Sequence, residues 1–234
     1  MVSVVVRILV GSPWDTERMK TLSLPTGTHG RVLVREAVGP SVVLVGFHGY
    51  MENADIQMER LAGIPGSERW TLVSVQGLHR FYLGRSETVV ASWMTRQDRS
   101  EMIVDNLGYY DRVVETVVPP ATRIVTAGFS QGVAMAFRGG VRGRLKASGI
   151  IGVGGDVPPE LLADGASEFP AVLLTRGQGD TWYSDAKMAG DVDSLRLRHV
   201  PVDTLTYAGA HEWTPDVAAA ASAFIGDFEG QWTR

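Results

Sequence analysis

The stretch TAGFSQGVAMAF, Thr126 to Phe137, sets one serine between two glycines, with apolar residues before it and a helix-like run after it. The run Thr122–Ala127 reads as a strand, and Gln131–Val141 reads as a helix that opens directly behind Ser130. A strand that turns at once into a helix is the unit of an α/β sheet, so this stretch proposes the architecture, and the rest of the chain has to agree with it.

Working outward, short β-branched runs recur at Arg31–Ala37, Ser41–Phe47, Thr71–Val75, Gly149–Val153, Ala171–Thr175 and Val202–Tyr207. From Ser41 onward most are continuously apolar, as in strands buried on both faces of a parallel sheet. Helical patterns lie between them. In Arg99–Val118 the residues Met102, Ile103, Leu107, Tyr110, Val113, Val114 and Val117 form one stripe, closed by Pro119–Pro120. Asp185–Arg198 turns Met188, Val192, Leu195 and Ala189 inward. Pro215–Phe228 starts with Thr214 as N-cap and proline in the first position. Strands alternating with helices predict a mostly parallel, doubly wound α/β sandwich with helices on both faces, formed as a single domain over 1–234. The first two strands come without a helix between them, which predicts an antiparallel edge. Val2–Val10 reads as a strand and not a targeting segment, because Arg7 interrupts its apolar run and no charged segment precedes it.

Totals bound the function. The chain has 234 residues, 44% hydrophobic and 21% charged, with a net charge of −4. No basic run marks a nucleic-acid partner. The absence of cysteine removes thiolate nucleophiles and cysteine-based zinc sites and agrees with a cytoplasmic location. No run reaches the roughly 18 apolar residues of a membrane span. HEWTP at His211–Pro215 begins like a zinc-binding H-E-x-x-H, but Pro215 stands where the second histidine belongs, so no metal is expected. No phosphate-cradling glycine loop is present, and no cofactor is expected.

Gly128–Gly132 (GFSQG) matches G-x-S-x-G in the strand–turn–helix context that a nucleophile elbow requires. The tight turn strains the serine backbone, and the glycines let neighbouring chain come close. A serine hydroxyl needs a base to take its proton. Of the five histidines only His199 and His211 follow Ser130. His199 ends a basic helical stretch, whereas His211 lies in the loop after the last strand, so His211 is the candidate base. The acid should fall between serine and histidine. Asp180, in the glycine-rich loop after Ala171–Thr175, is preferred over Asp156. An oxyanion site needs two fixed N–H groups: that of Gln131, directly after the serine, and one from the loop after Ser41–Phe47, where Tyr50 is the first candidate and Met51 the second. His48 reads as a structural residue that orients this loop.

Four landmarks stand in order: HGYMENAD, GFSQG, RGQGDTWY and GAHEW. Together they resemble the phospholipase/carboxylesterase family of α/β-hydrolases, which includes acyl-protein thioesterase-like enzymes, over about Val42 to Phe228. The resemblance implies the α/β-hydrolase fold and a Ser-His-Asp esterase without metal. Ser130 would be the nucleophile, Asp180 the acid, His211 the base, and Tyr50 and Gln131 the oxyanion donors. The family often shows H-G-x-G; here Met51 takes the last position.

Three of the six tryptophans stand near these landmarks. Trp182 and Trp213 each lie two residues beyond a triad candidate, and Trp93 resembles an aromatic position common in the family. With Met51 they are the expected substrate-binding residues. Gln76–Arg99 is too long for a plain connection and reads as a small lid or pocket wall. The expected partner is a small-molecule ester of a short-acyl or aryl type, and the expected state a monomer or homodimer.

Overall fold

The computed structural model describes residues 5–7, 21–165 and 168–229. Of the Val2–Val10 strand, Val5–Arg7 (β1) lies among them, and it pairs antiparallel with Thr21–Ser23 (β2). The central sheet contains Val32–Arg35 (β3), Val42–Phe47 (β4), Thr71–Val75 (β5), Arg123–Phe129 (β8), Gly149–Val153 (β9), Ala171–Gly177 (β10) and Val202–Tyr207 (β11). A separate hairpin is formed by His79–Tyr82 (β6) and Val89–Ser92 (β7). The helices are Ala54–Ala62 (α1), Arg99–Val117 (α2), Gln131–Arg142 (α3), Pro159–Ala163 (α4), Asp185–Arg196 (α5) and Pro215–Glu229 (α6).

The seven-stranded sheet has the order β11-β10-β9-β8-β4-β5-β3. All its pairings are parallel except that of β3 with β5. The antiparallel edge therefore exists, made on Thr71–Val75 and not on the next strand in sequence.

Two-sided burial explains the continuous apolar strands. In β4, Val43, Val45 and Phe47 face a core that also holds Tyr110 and Val114 of α2 and Phe137 of α3. Val42 and Leu44 face the other core, with Leu61 of α1 and Val217, Ala221 and Ile225 of α6. Neither face can carry a polar side chain without losing its water, so every position is apolar. Each such Val, Leu or Phe contributes about 1.5–3 kcal/mol on burial.

The helices follow their predicted spans closely. On α5, Met188, Val192 and Leu195 are buried, but Ala189 is exposed. Helix α1 was not visible in the sequence. Its N-cap is Asn53, whose side chain accepts from the Ile56 N–H, and its inward residues are Ala54, Gln57 and Leu61. The polar Gln57 on the buried face interrupts the apolar stripe that would have announced the helix.

The chain leaves β4 toward β5 on one side, while from β8 onward it winds toward β9 on the other. The order therefore reverses between β4 and β8, and the crevice at the carboxyl ends of these two neighbours is where open α/β sheets bind ligands. The loop 48–53 and Ser130 both sit there.

Candidate active site

Ser130 sits at the β8–α3 corner with φ 52° and ψ −119°, a backbone state that a residue with a side chain rarely adopts. Its N–H donates to the Val153 carbonyl of the adjoining strand at 2.8 Å. The flanking glycines are sterically compelled. A Cβ on Gly128 would fall 2.3 Å from the Gly132 carbonyl oxygen, and one on Gly132 would fall 2.1 Å from the Phe47 carbonyl oxygen. Both contacts are with backbone that has nowhere to move. Gly132→Ala is therefore expected to destabilise the fold by about 3 kcal/mol or more, by prising α3 from the end of β4. Urea denaturation checks this; an unchanged midpoint would contradict the close approach.

The loop after β4 is held by buried groups. His48 is fully buried; its Nδ1 donates to the Gly49 carbonyl at 2.7 Å and its Nε2 accepts the Gly77 N–H at 2.9 Å. Burial pushes its pKa down, so the ring is neutral and serves as a bracket for the loop. Glu52 accepts the Gly49 N–H at 2.7 Å and makes a two-pronged pair with Arg60 at 2.6 and 2.7 Å. The Met51 N–H donates to the Ala91 carbonyl at 3.1 Å and is spent. The Tyr50 N–H and the first-turn N–H of Gln131 have no acceptor among the described residues. Of the two loop candidates, Tyr50 alone keeps a donor available. The Gln131 side chain is occupied elsewhere: it accepts the Trp93 N–H at 2.9 Å and donates to the Met94 carbonyl at 2.9 Å, tying the segment after β7 to the start of α3.

Asp180 and His211 come from the loops after β10 and β11, neighbouring strands whose pairing is prolonged by the Gln178 N–H to Tyr207 and the Gly179 N–H to Gly209. His211 Nδ1 donates to Asp180 Oδ2 at 2.8 Å. The other carboxylate oxygen accepts the N–H groups of Trp182 and Tyr183 at 2.8 and 2.9 Å. Burial pushes the Asp180 pKa up, but these N–H groups and His211 outweigh it, and the carboxyl stays ionised below its ordinary range. Asp156, the other carboxylate weighed for this place, pairs instead with Lys187 at 3.3 Å. His199 is exposed, past the end of α5, in a left-handed conformation.

The His211 ring packs on Phe129, the residue before Ser130, with ring centroids 5.0 Å apart. Both His211 and Ser130 border the Val153–Gly154 segment; a Cβ on Gly154 would lie 3.1 Å from the imidazole. Nδ1 being taken by Asp180, Nε2 is the ring nitrogen left for chemistry. Among the described residues neither Nε2 nor the Ser130 hydroxyl makes a hydrogen bond, and such contacts often close only when substrate arrives.

Beneath the ring lies a feature the sequence did not signal. The Arg60 guanidinium sits 4.1 Å from the Phe129 ring centroid while pairing with Glu52. One side chain of α1 thus joins the loop after β4 to the platform under His211. Burial pushes the Glu52 pKa up, but Arg60 and the Gly49 N–H more than offset this and leave it below the ordinary 4.5. A depressed carboxyl contributes stability that is present above its unfolded value and lost as pH falls through its folded value. The urea midpoint should therefore drop as pH falls from about 5 to 3, and drop less steeply in Glu52→Gln; equal slopes in the two proteins would exclude this role.

A cavity of about 410 Å³ opens at Ser130, walled by Met94, Ala134, Val157, Pro158 and Trp182. Trp182 is 74% exposed and stands at its mouth. Two other tryptophans require correction. Trp93 is fully buried; its indole N–H donates to the His48 carbonyl at 2.8 Å and its ring packs edge-on against Phe47, so it supports the wall from behind. Trp213 lines a different cavity, with Arg60 and Pro215. Met51 does not border the Ser130 cavity either; its loop is turned toward β7 by the bond to Ala91. The segment 76–99 forms the β6–β7 hairpin, and its last residues, Met94 to Arg96 and Arg99, border the cavity. Among the described residues no helix is long and apolar enough to cross a membrane.

A family model described as Phospholipase/Carboxylesterase matches residues 86–225, more than half of the chain, a span that includes Ser130, Asp180 and His211 but not Tyr50. A comparison with curated proteins yields no match. Among solved structures, the chain is similar to a Bacillus cereus carboxylesterase, at 16% identity over 85% of this chain and 94% of that one, with a TM-score of 0.66. It is also similar to esterase PE8, at 21% identity over 86% of this chain and 100% of that one, with a TM-score of 0.67. The third is acyl-protein thioesterase 2 of Zea mays, at 16% identity over 86% of this chain and 100% of that one, with a TM-score of 0.65. At such identities the structures speak for a common fold.

Proposed function

Because the chain belongs to the phospholipase/carboxylesterase family of α/β-hydrolases, enzymes of the esterase and thioesterase type, we propose that it is a serine esterase that cleaves short-acyl or aryl esters with Ser130, His211 and Asp180. The observation that carries this reading is the Asp180–His211 pair at 2.8 Å beside a serine in a strained elbow.

In the first half-reaction Ser130 Oγ attacks the ester carbonyl carbon while its proton passes to His211 Nε2. The carbonyl electron pair moves onto oxygen, where the N–H groups of Gln131 and Tyr50 receive it; these donors are fixed by backbone and need no reorganisation. Asp180 remains ionised and stabilises the imidazolium. Collapse breaks the ester bond, and the departing oxygen takes the proton from Nε2, leaving an acyl group on Ser130. In the second half-reaction water attacks that acyl carbon and gives its proton to Nε2. Collapse then returns the proton to Ser130 Oγ and frees the acid. A thioester would pass through the same acyl-enzyme.

Purified protein is expected to turn over p-nitrophenyl acetate and butyrate and to take up one fluorophosphonate label per chain. A protein that does neither would sink the proposal.

A further inference from the structure

Three cationic side chains stand at the rim of the Ser130 cavity. Arg96, Arg99 and Lys187 border it, and fully buried Arg138 lies behind Met94. Carboxylates answer most of these cations: Asp191, which accepts the Val157 N–H and the Tyr183 hydroxyl, also faces Lys187. Asp156 pairs with Lys187 at 3.3 Å. Glu160 is shared, lying 2.7 Å from Arg138 and 3.6 Å from Arg99. Arg96 is exposed and has neither ion-pair nor hydrogen-bond partner among the described residues. Asp180 is committed to His211. Arg96 is thus the rim cation without a counter-charge among the described residues, beside an apolar stretch of wall formed by Met94, Ala134, Val157 and Pro158.

A wholly apolar acyl chain in this cavity would strip water from the guanidinium of Arg96 and offer nothing in return, which costs free energy. A chain ending in an anion would replace that water with a charge-assisted bond, while Met94, Ala134 and Val157 take up its methylenes. The unpaired charge of Arg96 would also draw an anionic substrate toward the mouth.

We infer that the site selects esters whose acyl chain ends in a carboxylate, that is, monoesters of short dicarboxylic acids, with Arg96 as the residue that receives the distal carboxylate. The inference rests on the esterase reading of Ser130 and adds a substrate class to it.

The test compares mono-p-nitrophenyl glutarate with p-nitrophenyl pentanoate, which share a leaving group and differ in terminal charge. The glutarate ester should have the higher kcat/KM by about tenfold, the scale of one hydrogen bond to a charged group. Arg96→Gln should bring the ratio toward one, Arg96→Lys should restore part of it, and added salt should shrink it. A ratio of one or less in the unaltered protein, or a ratio indifferent to Arg96→Gln, overturns the inference. Calorimetric titration with free glutarate and with uncharged glutaramide decides the matter without turnover. Glutarate binding that is tighter than glutaramide binding and weakened by Arg96→Gln supports the anion site even in a protein that hydrolyses neither ester, a result that would sink the esterase reading alone. Equal affinity for the two compounds overturns the anion site.

Discussion

Ser130→Ala is expected to lower kcat on p-nitrophenyl esters by about 10⁶-fold and to abolish fluorophosphonate labelling. The size follows from the covalent route: without Oγ no acyl-enzyme forms, and what remains comes from substrate binding beside the free N–H groups of Gln131 and Tyr50. Folding should be little affected. Alanine keeps the same strained backbone at φ 52°, and the Ser130 hydroxyl makes no hydrogen bond among the described residues whose loss would count. Steady-state rates and a thermal melt on one preparation check both halves. A variant that melts normally and still turns over would remove Ser130 from the chemistry; a variant that no longer folds would make the hydroxyl structural.

Asp180→Asn is expected to lower kcat by about 10⁴-fold without displacing the side chain. The local hydrogen bonds decide which way the new amide points. Oδ1 accepts two backbone N–H groups, from Trp182 and Tyr183, so the amide oxygen must stay there. The amide NH₂ then faces His211 Nδ1, which has to accept, and the ring proton is forced onto Nε2. A protonated Nε2 cannot receive the Ser130 proton. Asp156→Asn loses only an exposed pair with Lys187 and should change the pentanoate rate by less than roughly threefold. Parallel kinetics on the two variants, with proton NMR of the imidazole to read the tautomer, separate the two carboxylates. A larger loss in Asp156→Asn would reverse their assignment.

Much of the fold was legible because it depends on short-range pattern. The strands β4 and β9 begin and end within a residue of the apolar runs, since burial on both faces leaves no polar position inside them. Strands β5 and β11 match their runs as closely, although β5 carries Thr71 and Ser74 and the partly exposed β11 carries Asp203, Thr204 and Thr206. Helix α6 announced itself through Thr214, whose hydroxyl accepts the Val217 N–H, and through Pro215. Helix α1 and the β6–β7 hairpin were not legible. The first buries Gln57 among its inward residues, and the second pairs a mostly exposed strand with a mostly buried one, so neither shows a clean period.

The order serine, aspartate, histidine along the chain, each residue in a loop at a strand's carboxyl end, was determined by the sequence alone. So was the need for glycine at 128 and 132, because a strand-to-helix corner of this tightness excludes a Cβ. The sequence preferred Asp180 over Asp156 and Tyr50 over Met51. Only the tertiary structure shows that Asp180 pairs with His211 while Asp156 pairs with Lys187, and that the Met51 N–H, unlike that of Tyr50, has an acceptor. It also withdrew Trp93 and Trp213 from the cavity and set Arg60 under Phe129. Each of those choices depends on which groups far apart in sequence have already satisfied one another: Met51 gives its N–H to Ala91, Asp156 is drawn to Lys187, and Trp93 is drawn to His48. Local pattern places a residue on an element and a face, but pairing across the molecule decides which of its atoms remain free to act.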